Sequence, residues 1–102
     1  MRIEWTEPAL SDLADLRDYI ARDSEENAVR FVGRLIHSVE KLSAFPQMGR
    51  RVPEAQDETI RELLFQNYRV LYRIDPTAIR ILTILHGKQD LAGRSPKPWE
   101  RR

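Results

Sequence analysis

Residues 60–90 read IRELLFQNYRVLYRIDPTAIRILTILHGKQD, and this stretch decides the fold. Its apolar residues alternate along three runs that are separated by two short turns, Gln66-Asn67 and Asp75-Pro76-Thr77. Alternation with turn residues at such spacing predicts two consecutive β-hairpins, and we expect Asn67 to take the positive φ of the first turn. The predicted strands cover residues 58–65, 68–75 and 78–86.

Pairing the strands through these turns gives two sheet faces of different character. The first face is apolar and is expected to be the core; it holds Leu63, Phe65, Tyr68, Val70, Tyr72, Ile74, Ile79, Ile81 and Leu85. The second face is expected to be open; it holds Leu64, Arg69, Leu71, Arg73, Arg80, Leu82, Ile84 and His86, with Glu62 between the arginines. This register places Leu71 opposite Leu82 and Arg69 opposite Ile84. A face with arginine beside leucine suits an acidic or amphipathic protein partner.

The N-terminal half predicts one strand and a helical hairpin. The strand covers residues 2–5, and Thr6 is placed to cap a helix over about 7–22. Ser24 is placed to cap a second amphipathic helix that continues to about residue 44. The element order β-α-α-β-β-β predicts an α+β fold with the helical hairpin on one face of a mainly antiparallel sheet. We expect one domain over residues 1–90 and an irregular C-terminal tail over 91–102, in which Trp99 docks on the domain.

Composition excludes several classes of site. The chain has 102 residues and no cysteine, which rules out disulfides, thiol nucleophiles and cysteine-bound metals. No histidine and carboxylate set has metal-ligand spacing and no glycine-rich loop could hold a phosphate, so we expect no metal, cofactor or small-molecule substrate. The apolar runs are too short for a membrane span, and the start MRIEWTEP lacks a signal-peptide core, so a cytoplasmic protein is expected. Formal net charge is +1, and 14 of the 17 basic residues are arginines, which pair well with carboxylates and phosphates.

Several short motifs occur in the order of a known family. They are Trp5-Thr6-x-x-Ala9, Phe45-Pro46 followed by Gly49-Arg50, Arg61-Glu62-Leu63, Tyr68-Arg69-Val70-Leu71-Tyr72, and Ile84-Leu85-His86-Gly87-Lys88. Together they make the chain resemble the RelE/ParE superfamily of bacterial toxins over about residues 3–90. The resemblance implies the toxin half of a type II toxin–antitoxin, or plasmid-stabilisation, system with a cognate antitoxin as partner.

The superfamily contains two activities, and the resemblance favours one of them here. RelE-like members are ribosome-dependent mRNA endonucleases, whereas ParE-like members inhibit DNA gyrase and need not be enzymes. RelE-like nucleases use lysines on the second strand, an arginine on the third strand, a further arginine after the last strand and a tyrosine or histidine in the tail. In this sequence Arg69 matches the arginine of the third strand, but the stretch around Ile60 and Glu62 has no lysine. Gln89 stands at the later arginine position, and the only aromatic residue of the tail is Trp99. The resemblance therefore favours a ParE-like gyrase inhibitor, which need not be an enzyme; if the protein is one, a ribosome-dependent endoribonuclease is expected. The alternatives are a RelE-like nuclease with a degenerate site and an inactive remnant that still binds antitoxin.

Each candidate site residue also has a structural interpretation. Arg69 and His86 are the catalytic candidates, but Arg69 can pair across strands with Glu62, and a lone histidine at a strand end is more often structural. The antitoxin is expected to place acids against arginines and apolar side chains against leucines and isoleucine of the open face. The predicted partner-binding residues are Arg69, Leu71, Arg73, Arg80, Leu82 and Ile84.

Overall fold

The computed structural model of this chain describes residues 1–87, 91 and 95–100. The elements follow the predicted order β-α-α-β-β-β with one short strand added, and two turns of 3₁₀-helix occur at Lys41–Ser43 and Pro98–Glu100. We number them β1 Arg2–Trp5, α1 Glu7–Ala21, α2 Glu25–Glu40, β2 Arg50–Arg51, β3 Ile60–Phe65, β4 Tyr68–Ile74 and β5 Ala78–His86.

Both helices begin where their caps predict. The Thr6 side chain accepts a hydrogen bond from the amide of Ala9, and Ser24 accepts one from the amide of Asn27. Each cap satisfies an amide that has no partner inside the first turn of its helix. The second helix ends at Glu40 rather than near residue 44, because the chain tightens into the 3₁₀ turn.

The sheet has five strands in the order β1-β5-β4-β3-β2. β1 runs parallel to β5, and the other neighbours are antiparallel, which confirms a mainly antiparallel sheet with two helices packed against it. β2 was missed in the sequence, because a two-residue edge strand leaves no alternating pattern. In the hairpin turn between β3 and β4 the positive φ belongs to Gln66, at 52°, so its assignment to Asn67 was wrong.

The register of the first hairpin is confirmed, and that of the second changes at a β-bulge. Arg73 lies opposite Arg80 as predicted, but Leu71 lies opposite Thr83 and Arg69 opposite Leu85. The pairing shifts between Leu71 and Tyr72, where one extra residue of β5 bulges out of the ladder. An inserted residue reverses the faces of every side chain beyond it.

The bulge exchanges two predicted positions. Ile84 packs with the helices in the main core, whereas Leu85 joins a second apolar cluster on the opposite face. The main core otherwise follows the prediction and contains Tyr72 at 0% exposure. The remaining buried members of this core are Ala9, Leu16, Leu35, Val39, Leu42, Val70, Ile79 and Ile81.

The second face of the sheet is covered, so the prediction of an open face was wrong. Val52 from the loop after β2 and Leu91 from the C-terminal segment are buried against it, and Trp99 packs on the same cluster. The docking of Trp99 was predicted. Covering both faces lets a small sheet bury apolar side chains on each side. Among the described residues, no helix is long and apolar enough to cross a membrane.

Candidate functional site

A buried ionic cluster surrounds Arg69 on β4. Arg69 is 8% exposed, and its Nε and Nη2 atoms both lie 2.5 Å from Oε2 of Glu62 on β3. Nη2 also lies 3.5 Å from Oε1 of Glu54 in the covering loop. Glu62 is 1% exposed, and its other oxygen accepts a hydrogen bond from Nε of Arg50 on β2. The cross-strand pair of Arg69 with Glu62 is therefore confirmed.

The cluster determines what Arg69 can do chemically. Taking a charge out of water costs several kcal/mol, and the cost is offset only by well-placed counter-charges and hydrogen bonds. Glu62 receives two guanidinium groups, and Arg69 faces two carboxylates. A phosphate approaching Arg69 would have to displace a buried carboxylate and would be repelled by it. These ion pairs connect β2, β3 and β4, and they leave the Arg69 guanidinium poorly placed to bind a phosphate.

The second catalytic candidate, His86, lies at the exposed end of β5. Its ring meets the Tyr68 ring edge-on, with centroids 5.7 Å apart and planes at 83°. Residues Tyr68, Arg69 and His86 contribute to one shallow cavity of about 400 Å³. The structure thus brings the two catalytic candidates to the same cavity, but with the guanidinium of Arg69 directed to Glu62 and Glu54.

Arg73 and Arg80 lie directly opposite each other at the other end of the covered face. Like charges in this position repel. Nη2 of Arg73 donates to the carbonyl oxygen of Trp99 at 2.6 Å, and Nε of Arg80 lies 3.9 Å from Asp75. Both arginines line a cavity of about 540 Å³ that Thr6, Glu7 and Pro8 close from the start of α1. The pair retains donors for an anionic group.

The apolar members of the predicted partner surface are buried. Leu71 is 0% exposed and Leu82 is 6% exposed, and both belong to the cluster under Val52 and Trp99. Ile84, at 8%, faces the helices instead. Contact of a partner with Leu71 would require the covering segments to move, and contact with Ile84 would require the helices to move. Leu82 contributes its small exposed part to the cavity of Arg73 and Arg80. Of the predicted partner-binding residues, Arg73, Arg80 and Leu82 line the cavity of about 540 Å³, and Arg69 contributes to the cavity of about 400 Å³ beside His86.

The motif Phe45-Pro46 with Gly49 has a packing role that the sequence did not reveal. The buried Tyr72 hydroxyl donates to the carbonyl oxygen of Pro46 at 2.7 Å and accepts from the amide of Gly49 at 3.0 Å. A Cβ at position 49 would lie 2.6 Å from both this hydroxyl and the carbonyl oxygen of Glu62. Burial raises the pKa of the Tyr72 hydroxyl above its usual value, and the Gly49 amide and the Arg61 charge partly oppose the increase.

Asp12 on α1 is a second polar residue that sequence reasoning missed. β1 ends opposite Ile81, so no strand among the described residues pairs with the rest of β5 on that edge. Oδ2 of Asp12 accepts from the amide of Ile84 at 3.1 Å and from the hydroxyl of Thr83. The carboxylate therefore supplies the bond that a further strand residue would have made. An aspartate one turn inside an amphipathic helix is common on a solvated helix surface, so the sequence gives no indication that Asp12 binds β5.

Few cations occur at the positions where RelE-like nucleases have theirs. Ile60 is fully buried and Glu62 is committed to arginines, while Gln89 lies outside the described residues. Within the part of the chain that the structure describes, no group of histidines and carboxylates could hold a metal ion.

Comparison with known proteins gives consistent relatives. The family model of the ParE toxin of type II toxin–antitoxin systems, parDE, matches residues 3–91. The toxin ParE3 of Caulobacter vibrioides is 32% identical over 101 residues, which cover 94% of this chain and 96% of that protein. The toxin RelE2 of the same organism is 33% identical over 86 residues, 83% of this chain and 93% of that protein. Among solved structures, the chromosomal ParDE system of P. aeruginosa matches with a TM-score of 0.71 and 25% identity, covering 84% of this chain and 95% of that one.

Proposed function

The chain belongs to the ParE toxin family of type II toxin–antitoxin systems, and from this premise we propose that it inhibits DNA gyrase and is neutralised by a cognate antitoxin. Gyrase is the target that the resemblance to ParE-like toxins suggests. In this proposal the toxin acts by binding, in the cytoplasm where its target works, and catalyses no reaction. It would stabilise a plasmid or a chromosomal segment by killing cells that lose the antitoxin.

One observation carries the choice of target: Arg69 is bound by two carboxylates beneath a covered sheet face. Cleavage of RNA next to a 2′-hydroxyl needs cations on the phosphate and groups that transfer protons at both ends of the scissile bond. Arg69 is the residue that matches the nuclease set, and Glu62 neutralises it. This supports an inhibitor over a nuclease.

A ribosome-dependent endonuclease is the second candidate. The observation in its favour is that a relative named toxin RelE2 is about as similar to this chain as one named toxin ParE3. Its catalytic candidates would be Arg69 and His86, which share one cavity. An inactive protein that still binds antitoxin is the third.

For the antitoxin we propose contact with Arg73 and Arg80. These two arginines line an open cavity with charged donors, whereas Arg69, Leu71 and Leu82 are at most 8% exposed and Ile84 faces the helices. A carboxylate from the antitoxin would relieve the repulsion of the two facing guanidinium groups. Charge reversal at either arginine should weaken antitoxin binding and lower its salt sensitivity.

Induction of the toxin in cells, followed by separate measurement of protein synthesis and plasmid supercoiling, tests the target. We expect supercoiling to fall first and cells to filament, with mRNA uncut. Early arrest of translation with cut mRNA would instead support the nuclease. A folded toxin that changes neither would support the inactive protein.

A further inference from the structure

An exposed apolar surface lies at the end of the sheet where β4 stops, away from the ionic cluster. We call it the Phe45 patch; it consists of Met1, Phe45, Pro46, Gln47, Met48 and Ile74, which line a cavity of about 760 Å³. Phe45 is 64% exposed, Met48 44% and Met1 39%. Large apolar side chains grouped around one cavity commonly mark an interaction site, whereas isolated ones do not.

The patch is held in shape by hydrogen bonds, so its exposure is a property of the folded state. The Met1 ammonium group donates to the carbonyl oxygen of Ser43 at 2.7 Å, and the Ser43 hydroxyl returns a bond to Met1. The Tyr72 hydroxyl ties Pro46 to the core, and the amide of Met48 bonds the carbonyl of Phe45 at 3.0 Å. A prearranged apolar surface loses little conformational entropy when a partner binds.

Two cationic groups lie at or beside the patch, the Met1 ammonium group and the Arg61 guanidinium. The Met1 ammonium group is bound to a neutral carbonyl, and no ion pair within the described residues includes Arg61. Arg61 lies beside the patch, since its Nη1 donates at 2.9 Å to the carbonyl oxygen of Gly49, the residue after Met48. Its Nε is buried without a hydrogen-bond partner in the described structure. The neighbouring acid, Asp75, lies 3.9 Å from Arg80.

We propose that the Phe45 patch binds a segment of the antitoxin that carries an apolar anchor flanked by carboxylates. This inference rests on the proposed function, because it takes the antitoxin as the partner. The cavity receives the anchor, and the flanking carboxylates face Arg61 and the Met1 ammonium group. A second copy of this chain is disfavoured as the occupant, since it would bring the same cations to the interface. The patch is separate from the cavity of Arg73 and Arg80, so the antitoxin would hold the toxin at two places.

The chain offers a specific probe, because its two methionines, Met1 and Met48, both line the patch. Toxin labelled with ¹³C at the methionine methyl groups should give two signals. We expect both signals to shift when the peptide acetyl-Glu-Glu-Leu-Phe-Glu-Glu-amide is added, and to stay unchanged with acetyl-Glu-Glu-Ser-Ser-Glu-Glu-amide or acetyl-Lys-Lys-Leu-Phe-Lys-Lys-amide. Unchanged signals with the first peptide, or equal shifts with all three, would overturn the proposal.

A second measurement uses the antitoxin encoded beside the toxin gene. Phe45→Ser should weaken its binding by at least about 30-fold, as expected for an interface anchor. Tyr19→Ser, which removes an aromatic ring that is 66% exposed on α1, is the matched control and should change affinity less than about threefold.

Equal affinity of Phe45→Ser and wild type for the antitoxin would reject the patch while the proposed function stands. Failure of the wild type to bind any antitoxin would reject the proposed function, and the peptide titration would then decide the patch alone. A dimer that Phe45→Ser dissociates would show that the patch is a contact between copies and would also reject the proposal.

Discussion

Gly49→Ala should be among the most damaging single-methyl additions in this protein. The new Cβ would lie 2.6 Å from the carbonyl oxygen of Glu62 and 2.6 Å from the Tyr72 hydroxyl. Neither atom can move freely, because the carbonyl belongs to β3 and Tyr72 is 0% exposed with its hydroxyl in two hydrogen bonds. The requirement for glycine comes from this close approach, since Gly49 has no positive φ.

The cost follows from two contributions. Overpacking of a filled core costs about 1–3 kcal/mol, and loss of the two hydrogen bonds of Tyr72 adds about 1 kcal/mol each. A free-energy loss of about 3–5 kcal/mol corresponds to a decrease in Tm of roughly 12–40 °C for a domain of this size. Thermal unfolding followed by circular dichroism, together with urea unfolding at constant m-value, measures both quantities.

Gly33→Ala is the matched control. A Cβ at Gly33 would meet no atom within 4 Å, and the residue is exposed within α2. Replacing glycine by alanine inside an exposed helix stabilises by about 1 kcal/mol, so Tm should rise by roughly 4–8 °C. A Tm of Gly49→Ala within about 2 °C of wild type, or an increase like that of the control, would show that the chain tolerates a Cβ at position 49. In a double-mutant cycle Tyr72→Phe should recover part of the loss, because it removes one of the two colliding oxygens.

Three further predictions concern the fold. Tyr72→Asp should cost at least about 4 kcal/mol, because it buries a carboxylate in the core, while Arg73→Asp should cost less than about 2 kcal/mol; equal Tm losses would refute the assignment of faces. Asp12→Ala should cost about 1.5–3 kcal/mol by removing the charged acceptor of the Ile84 amide, and that amide should lose protection from hydrogen exchange; unchanged protection would refute the role of Asp12. Burial raises the pKa of the Tyr72 hydroxyl in the folded state, so above pH 10 the native protein binds more protons than the unfolded chain. The free energy of unfolding therefore decreases as pH rises through that range. Tyr72→Phe should lose less stability between pH 9 and pH 11 than wild type, and parallel pH profiles would contradict this.

The sequence predicted those elements whose pattern is local. Thr6 and Ser24 marked both helix starts, and the pairing of Glu62 opposite Leu71 followed from a two-residue turn. Alternation then identified the face on which the helices pack. Each of these features depends on residues that are near one another in the chain, so the spacing of residue types contains them.

The features that were missed depend on contacts between distant segments. β5 contains no glycine or proline that would predict the bulge, so Ile84 and Leu85 were assigned to the wrong faces of the sheet. The covering of the second face depends on Val52 and Trp99, which lie in stretches that are polar overall and resemble solvated loop and tail. The covered face changed the candidate site, because it converts a predicted cationic surface into a buried ion cluster.

Inhibition of gyrase and cleavage of mRNA can be distinguished with purified, antitoxin-free toxin added in parallel to DNA gyrase acting on relaxed plasmid and to ribosomes programmed with mRNA. A variant that removes both charges together, Arg69→Gln with Glu62→Gln, avoids leaving either residue as an unpaired buried charge. We expect wild type and this variant, both confirmed to be folded, to inhibit supercoiling and to leave the mRNA intact. Cleavage of mRNA in the ribosomal A site by wild type, lost in the variant and accompanied by normal supercoiling, would instead identify the toxin as a nuclease that uses Arg69.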